Sequence, residues 1–363
     1  MPKICLLANA ASPHTEKWAS ALGRRGWSVD LISFLPAEIP GVRIHLVPAV
    51  FGQKIDYILR VRWVKEKIRE LNPDILHAHY ATSFGFLGAI SSVHPFIISA
   101  WGSDIFSFPK HSPFHRLLLE RVLSTADYLC STSHVMAKEM YSHIDMKKKI
   151  NVIPFGVDVT QFVPPEQADT KGRKKVVFGV AKYLQPVYGL DLLLKAFAQL
   201  NHLEPERALL RIAGDGPERT RLQALAARLE ITGQVEWLGT LPNSEIARFY
   251  QDLDVVVVPS RQESFGVTAV EGSACARPII ASRVGGLPEV VLDGETGIMV
   301  EPENIGKLME AMKRMLEHPE ERERMGRAGR EFVLRNYDWE ENVTEMEEVY
   351  REVLRESGGR AVN

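Results

Sequence analysis

Residues 254–287 read DVVVVPSRQESFGVTAVEGSACARPIIASRVGGL. Four consecutive valines closed by a proline make a strand buried on both faces, the kind found in parallel sheets. SRQESFG is a turn. VTAVEGSACA reads as a helix, and RPIIAS opens the next buried strand. Strand, turn, helix, strand is one βαβ unit. Ligands of open α/β sheets bind beyond the C-terminal strand ends, so this turn is the first place to look for chemistry. A glycine just before a helix exposes unpaired amides and the positive end of the helix dipole, an arrangement that binds phosphate. Gly266 and Val267 are the donors expected here. Glu263 lies in the turn and Glu271 in the helix, eight positions on. A carboxylate accepts hydrogen bonds from vicinal hydroxyls, so one could hold a sugar and the other a ribose. The alternative is that Glu263 caps the helix and Glu271 is a surface charge.

The same alternation runs outward in both directions. KICLLAN, a helical stretch from Thr15 to Gly26, and WSVDLIS open the chain, and DILHAH, FIISAW, DYLCSTS and NVIPFG continue the strand series. The pattern lapses over 158–174, which is polar and carries Pro164, Pro165 and Gly172. It restarts with KVVFGVA, the helical LDLLLKAFAQL, ALLRIAG, a helix from Pro217 to Glu230, and QVEWLG. The expectation is two α/β domains, each a Rossmann-like doubly wound parallel sheet, at residues 1–157 and 175–339, joined by a linker at 158–174 and facing a central cleft. The chain ends in a charged helix with the apolar stripe Trp339, Val343, Met346, Val349, Tyr350 and Val353. Residues 340–363 are candidates to return to the first domain.

Composition narrows the function. The chain has 363 residues with 44 Lys and Arg against 46 Asp and Glu, so there is no electrostatic case for nucleic acid as partner. Cys5, Cys130 and Cys275 lack the spacing of a disulfide framework or a zinc site and read as small buried hydrophobes in a reducing compartment. MPKICLLANA has too short an apolar run for a secretion signal. No stretch approaches the ~18 apolar residues of a membrane span. A cytoplasmic protein is expected, one that could rest at the inner face of a membrane.

The string PSRQESFGVTAVEGSACARPIIASRVGGLPEVVLDGETGIMVEP resembles the donor-binding signature of the retaining family 4 glycosyltransferases: Glu, seven residues, Glu, then GG-x-P-E and D-G-x-T-G. NVIPFGVDVTQF, LLRIAGDGPERTRL and VEWLG are similar to further family segments in the same order. The first domain is similar more loosely, through SPHTEKWASALGRRGWSVDLIS, DILHAHY and WGSDI. The resemblance implies a GT-B fold, a nucleoside-diphosphate-sugar donor (often a UDP-sugar), retention of anomeric configuration, and no metal or other cofactor. It implies that Glu263 contacts hydroxyls of the transferred sugar, that Gly266 and Val267 give amides to the diphosphate, and that Glu271 binds the ribose. Lys182, at the end of GVAK, matches the basic residue that neutralises the leaving diphosphate. Arg261, Ser264, Phe265, Gly214 and Tyr188 complete the donor-side set.

Two departures from the family pattern stand out. Tyr188-Gly189 replaces Lys-Gly, so one phosphate-neutralising charge is missing or comes from Arg261, Arg283 or His14. Trp101-Gly102-Ser103-Asp104 replaces His-Gly-x-Asp. Trp101 offers a stacking surface or a core residue, and Asp104 holds a sugar hydroxyl or caps a turn. Ser12, His14, His79 and Tyr80 are the other candidates for acceptor or cleft contacts. His77 and His79 are read as facing opposite sides of their strand, hence unable to share a metal. Asp252 and Asp254 imitate an Asp-x-Asp metal motif but precede their strand. The activity implied is sugar transfer to a glycan, a lipid-linked or a small-molecule acceptor that the sequence does not specify, and it does not give the oligomeric state. The rivals are a sugar-nucleotide epimerase on the same fold and a nucleotide-sugar-binding scaffold without turnover.

Overall fold

The computed structural model describes residues 1–48, 53–146, 148–166 and 175–360. The chain forms two compact units. The first comprises residues 1–154 with the chain from Glu341 onward, and the second is Phe155–Glu340. Residues 158–166 of the expected linker pack in the second unit. There Phe162 is buried, and Arg330 donates to the carbonyls of Val159 and Phe162. Residues 167–174 lie outside the described residues.

The first unit holds seven strands, β1 (Lys3–Leu7), β2 (Ser28–Ser33), β3 (Val42–Leu46), β4 (Ile75–His79), β5 (Phe96–Ala100), β6 (Tyr128–Ser131) and β7 (Ile150–Val152), in the order β3-β2-β1-β4-β5-β6-β7. The second holds β8 (Val176–Ala181), β9 (Ala208–Ala213), β10 (Val235–Gly239), β11 (Val255–Val258), β12 (Ile279–Ser282) and β13 (Gly297–Val300), in the order β10-β9-β8-β11-β12-β13. Every pairing is parallel. Strand order reverses between β1 and β4 in one sheet and between β8 and β11 in the other. Those reversals are the switch points where doubly wound sheets bind ligands.

The valines of β11 are buried, and the helix Val267–Ala274 lies close against them: a Cβ added at Gly272 would sit 2.8 Å from a Val256 methyl. Among the described residues, no helix is long and apolar enough to cross a membrane.

The helix Trp339–Arg360 contributes its later turns to the first unit. Its apolar stripe is buried, and Glu347 and Tyr350 meet partners in the first unit. Trp27 Nε1 donates to Glu347 Oε1 at 2.7 Å and Arg25 to Glu347 Oε2 at 2.9 Å. Tyr350 OH meets His77 Nδ1 at 2.7 Å, and Ser99 Oγ meets His77 Nε2 at 2.8 Å. Burial pushes His77 down to about 3, so the ring is neutral.

Candidate active site

Lys182 follows β8 and Glu263 follows β11, on either side of the switch point of the second sheet. Lys182 Nζ donates to Glu263 Oε2 at 2.8 Å, and Ser260 Oγ donates to the same oxygen at 3.2 Å. Both charged side chains are nearly buried. Each therefore depends on the other, because an uncompensated charge removed from water is costly. Three residues on, Gly266 stands at the N-cap of the helix Val267–Ala274 with φ 115°, and no side chain caps that end. Thr268 Oγ1 donates to Ala181 O at 3.0 Å, tying the helix start to the end of β8 next to Lys182. A cation, a carboxylate and a helix N-terminus thus meet at one strand-end edge.

The glycines of this region allow backbones to touch. Gly285 has φ 52°, and a Cβ there would lie 1.7 Å from Glu263 O. Its neighbour Gly286 donates from N to Glu263 O at 3.0 Å. GG-x-P-E is therefore a brace under the Glu263 turn. Gly214, at φ 128°, brings the end of β9 against Lys182, where a Cβ would meet Lys182 O at 1.9 Å. Its part is to support Lys182.

Glu271 is half-buried and accepts from Tyr250 OH at 2.9 Å. It is an anchored carboxylate, not a solvated surface charge. Tyr250 is fully buried, and its hydroxyl is held well above its ordinary range first by burial and then by the Glu271 charge, so it stays a donor. Nothing in the sequence flagged Tyr250, because the helix that carries it ends before β11 begins. Ser260, the first residue of the SRQESFG turn, was likewise not singled out in the sequence.

Three donor-side expectations are corrected. Arg261 is committed elsewhere: its Nη1 and Nη2 meet Asp191 at 2.8 and 3.0 Å, Nη1 also donates to Pro186 O at 2.7 Å, and Nε donates to Glu303 at 2.8 Å. It is a brace between loops and not a spare cation. Arg283 likewise pairs with Asp293 at 2.6 Å. Phe265 turns its ring inward, edge-on to Phe155 and Tyr337, so only its backbone is left for a donor. Ser264 is half-buried in the same turn. Tyr188 places its ring face 4.5 Å from Lys182 Nζ.

In the first unit the strand ends gather aromatic rings. Trp101, after β5, is buried and lies 4.5 Å from His79, 5.4 Å from Tyr80 and 6.0 Å from His14, centroid to centroid. His79 is buried as well, whereas His14 and Tyr80 are half-buried. Ser12 caps the helix Pro13–Arg24 in position only, with no side-chain bond to it. Tyr80 holds φ 74°, a strained value for a residue with a side chain. His79 Nδ1 is buried without a partner, and burial, then His77 and His14, keep that ring neutral.

Asp104 was expected to hold a hydroxyl or cap the following turn; no side chain caps the helix Ser103–Phe106, and Asp104 instead reaches back to amides that precede it. Its oxygens accept from the amides of Ala81 (2.8 Å), Gly102 (2.7 Å) and Trp101 (3.3 Å), fully buried. It locks the loops after β4 and β5 together. The expectation that His77 and His79 face opposite ways is also wrong. Residues two apart share a strand face, and their rings are 4.8 Å apart. His77 spends both nitrogens on Tyr350 and Ser99. Among the described residues, no group of three or more His, Cys, Asp or Glu is placed to hold a metal. Asp254 sits at the opposite end of the sheet from Glu263, accepting from Val177 N at 2.8 Å.

A family profile for glycosyl transferases group 1 matches residues 165–332, and one for glycosyl transferase 4-like proteins matches 3–133. A D-inositol 3-phosphate glycosyltransferase of Corynebacterium efficiens is 30% identical over 304 residues, 77% of this chain and 71% of that protein. The chain belongs to the group 1 glycosyltransferases. Sucrose-phosphate synthase from Thermosynechococcus elongatus has the same fold at TM-score 0.86 and 22% identity, covering 98% of this chain and 100% of that one. Anabaena Alr3699/HepE in complex with UDP-glucose matches at TM-score 0.81 and 19% identity, covering 97% and 100%. The two parallel-sheet units of this glycosyltransferase are those of a GT-B fold.

Proposed function

We propose that this glycosyltransferase is retaining and metal-independent, that it uses a nucleoside-diphosphate sugar, with UDP-sugars first to test, and that Lys182, Glu263, Gly266, Val267 and Glu271 form the donor site. The observation that carries the reading is the Lys182–Glu263 pair at 2.8 Å beside a helix start with no side-chain cap. Negative charge grows on the departing diphosphate as the bond to the anomeric carbon breaks. The Lys182 ammonium and the amides of Gly266 and Val267 are fixed donors for that charge, so no metal is required to neutralise it. Glu263 accepts from hydroxyls of the transferred sugar. Glu271, held by Tyr250, accepts from the ribose. The acceptor oxygen attacks the face the diphosphate leaves, and a departing phosphate oxygen takes the acceptor's proton. Configuration is kept, and no histidine base is needed.

The UDP-glucose in the HepE complex supports the donor class, and the D-inositol 3-phosphate named for the Corynebacterium relative makes a cyclic polyol phosphate the first acceptor to try. His14 and Tyr80, half-buried at the strand ends of the first unit, are the side chains offered to it. All three thiols are buried and unlinked, in keeping with a reducing, cytoplasmic setting. The helix Pro113–Thr125 exposes Phe114 at 69% and Leu117 at 64%. That apolar face suits a membrane surface. Co-sedimentation with phosphatidylglycerol vesicles, undiminished in Phe114→Ser, would remove this part of the proposal.

The test is a thermal-shift panel of nucleoside diphosphates and their sugars, since a specific ligand raises stability by mass action, followed by turnover in EDTA with NMR of the product's anomeric proton. Transfer with retained configuration supports the proposal. An inverted product, or a requirement for added metal, sinks it. Epimer formation without acceptor would make the chain an epimerase, and tight binding without any turnover would make it a scaffold.

A further inference from the structure

We propose that Tyr188 is a positioning residue whose ring aims the Lys182 ammonium at the leaving diphosphate, in place of the second cation that the family pattern puts there. The inference rests on the donor-site reading above. Lys182 Nζ lies 4.5 Å from the Tyr188 ring centroid while donating to Glu263 Oε2 at 2.8 Å. An aromatic face attracts a cation through its negative quadrupole. With the ring on one side and the carboxylate on another, the ammonium has one direction left in which to donate. A lysine at 188 would bring a second ammonium to the same spot, and like charges oppose each other. The ring stabilises the single charge instead.

The ring is itself held. Pro186–Tyr188 is a single turn ended by Gly189 at φ 67°. Arg261 grips that turn twice, from its backbone N to Val187 O at 2.8 Å and from Nη1 to Pro186 O at 2.7 Å. Asp191 holds the far side of the guanidinium. Gly189 lies so close to Pro259 that a Cβ would come within 2.0 Å of Pro259 O. The loop bearing Tyr188 is thus stapled to the loop bearing Glu263, and Arg261 acts on Lys182 through Tyr188.

Two measurements decide it. In protein labelled with ¹³C-lysine, assigned through Lys182→Arg, the Lys182 ε-methylene protons are shifted upfield by the ring, keep that shift in Tyr188→Phe and lose it in Tyr188→Leu. In the transfer assay, Tyr188→Leu lowers kcat about tenfold with a smaller change in donor KM, and Tyr188→Phe restores most of it. A Lys182 resonance like that of an exposed lysine in the wild type overturns the proposal. So does a Tyr188→Leu enzyme with wild-type kcat, or a Tyr188→Phe enzyme as slow as Tyr188→Leu. If the wild type turns over no nucleoside-diphosphate sugar, the functional reading fails on its own, and the ring shift still decides whether Tyr188 holds the lysine.

Discussion

The strand ends of the two units solve opposite problems with one topology. Beyond β8 and β11 the second unit gathers charge: Lys182 on Glu263, Arg261 on Asp191, Glu271 under Tyr250. Beyond β1, β4 and β5 the first unit gathers aromatic rings, with the buried carboxylate of Asp104 turned onto backbone amides. The difference teaches where each kind of selectivity comes from. A diphosphate demands fixed positive charge and amides, which few side chains can supply. Aromatic rings can stack on many hydroxylated molecules.

Four experiments press on that contrast. The largest effect is expected at Lys182: Lys182→Ala lowers kcat on the order of 100- to 1,000-fold, measured as nucleoside diphosphate release, because one fixed donor to the leaving group is lost. A fall of less than tenfold would mean the charged end is not where the chemistry happens. Next, Asp104→Ala strips three backbone amides of their acceptor and lowers unfolding free energy by about 3 kcal/mol in urea melts. An unchanged melt with a large loss of kcat would return Asp104 to catalysis and blur the contrast.

The third concerns pH. Below pH 6.5 the unfolded chain binds a proton at His77 that the folded protein refuses until about pH 3. Stability from this group is full above pH 6.5 and drains away as pH falls, by about 2 kcal/mol at pH 5 relative to pH 8. Urea melts at pH 8, 6 and 5 should show a shallower slope in His77→Asn than in the wild type. The smallest effect is expected at His14, where His14→Ala raises acceptor KM about fivefold and leaves donor KM alone, reflecting one edge-on ring contact.

Much of this was legible in the residues. The buried valines of β11, the turn at 260–266 and the helix after it read directly, because continuous apolar runs broken by Gly and Pro admit few other structures. β3 and β13 did not. VRIHL lies at the sheet edge and is only partly buried, so it lacks the solid apolar run of its neighbours. β13 begins at Gly297, a poor strand former, needed because a Cβ would strike Ile279 O at 2.1 Å. In the site, Lys182, Glu263 and Glu271 stood out from motif and position. The braces did not, since Arg261–Asp191, Tyr250–Glu271 and Asp104 to Ala81 join residues that only the folded sheet brings together. A carboxylate that binds sugar and one that binds amides look alike in a string of letters.

The two ends of the second unit lie side by side. Val157 N donates to Tyr337 O at 2.9 Å, and Trp339 N donates to Val157 O at 3.0 Å. The second unit is therefore an insertion, entered and left through one doorway, while the first unit is completed by sequence that arrives after it. If the proposed donor site is right, a swap of residues 155–340 between relatives would exchange donor preference as a cassette. A cut after 340 that discards the final helix would instead leave Trp27, Arg25 and His77 reaching for missing partners, and would spoil the very half it seems to spare.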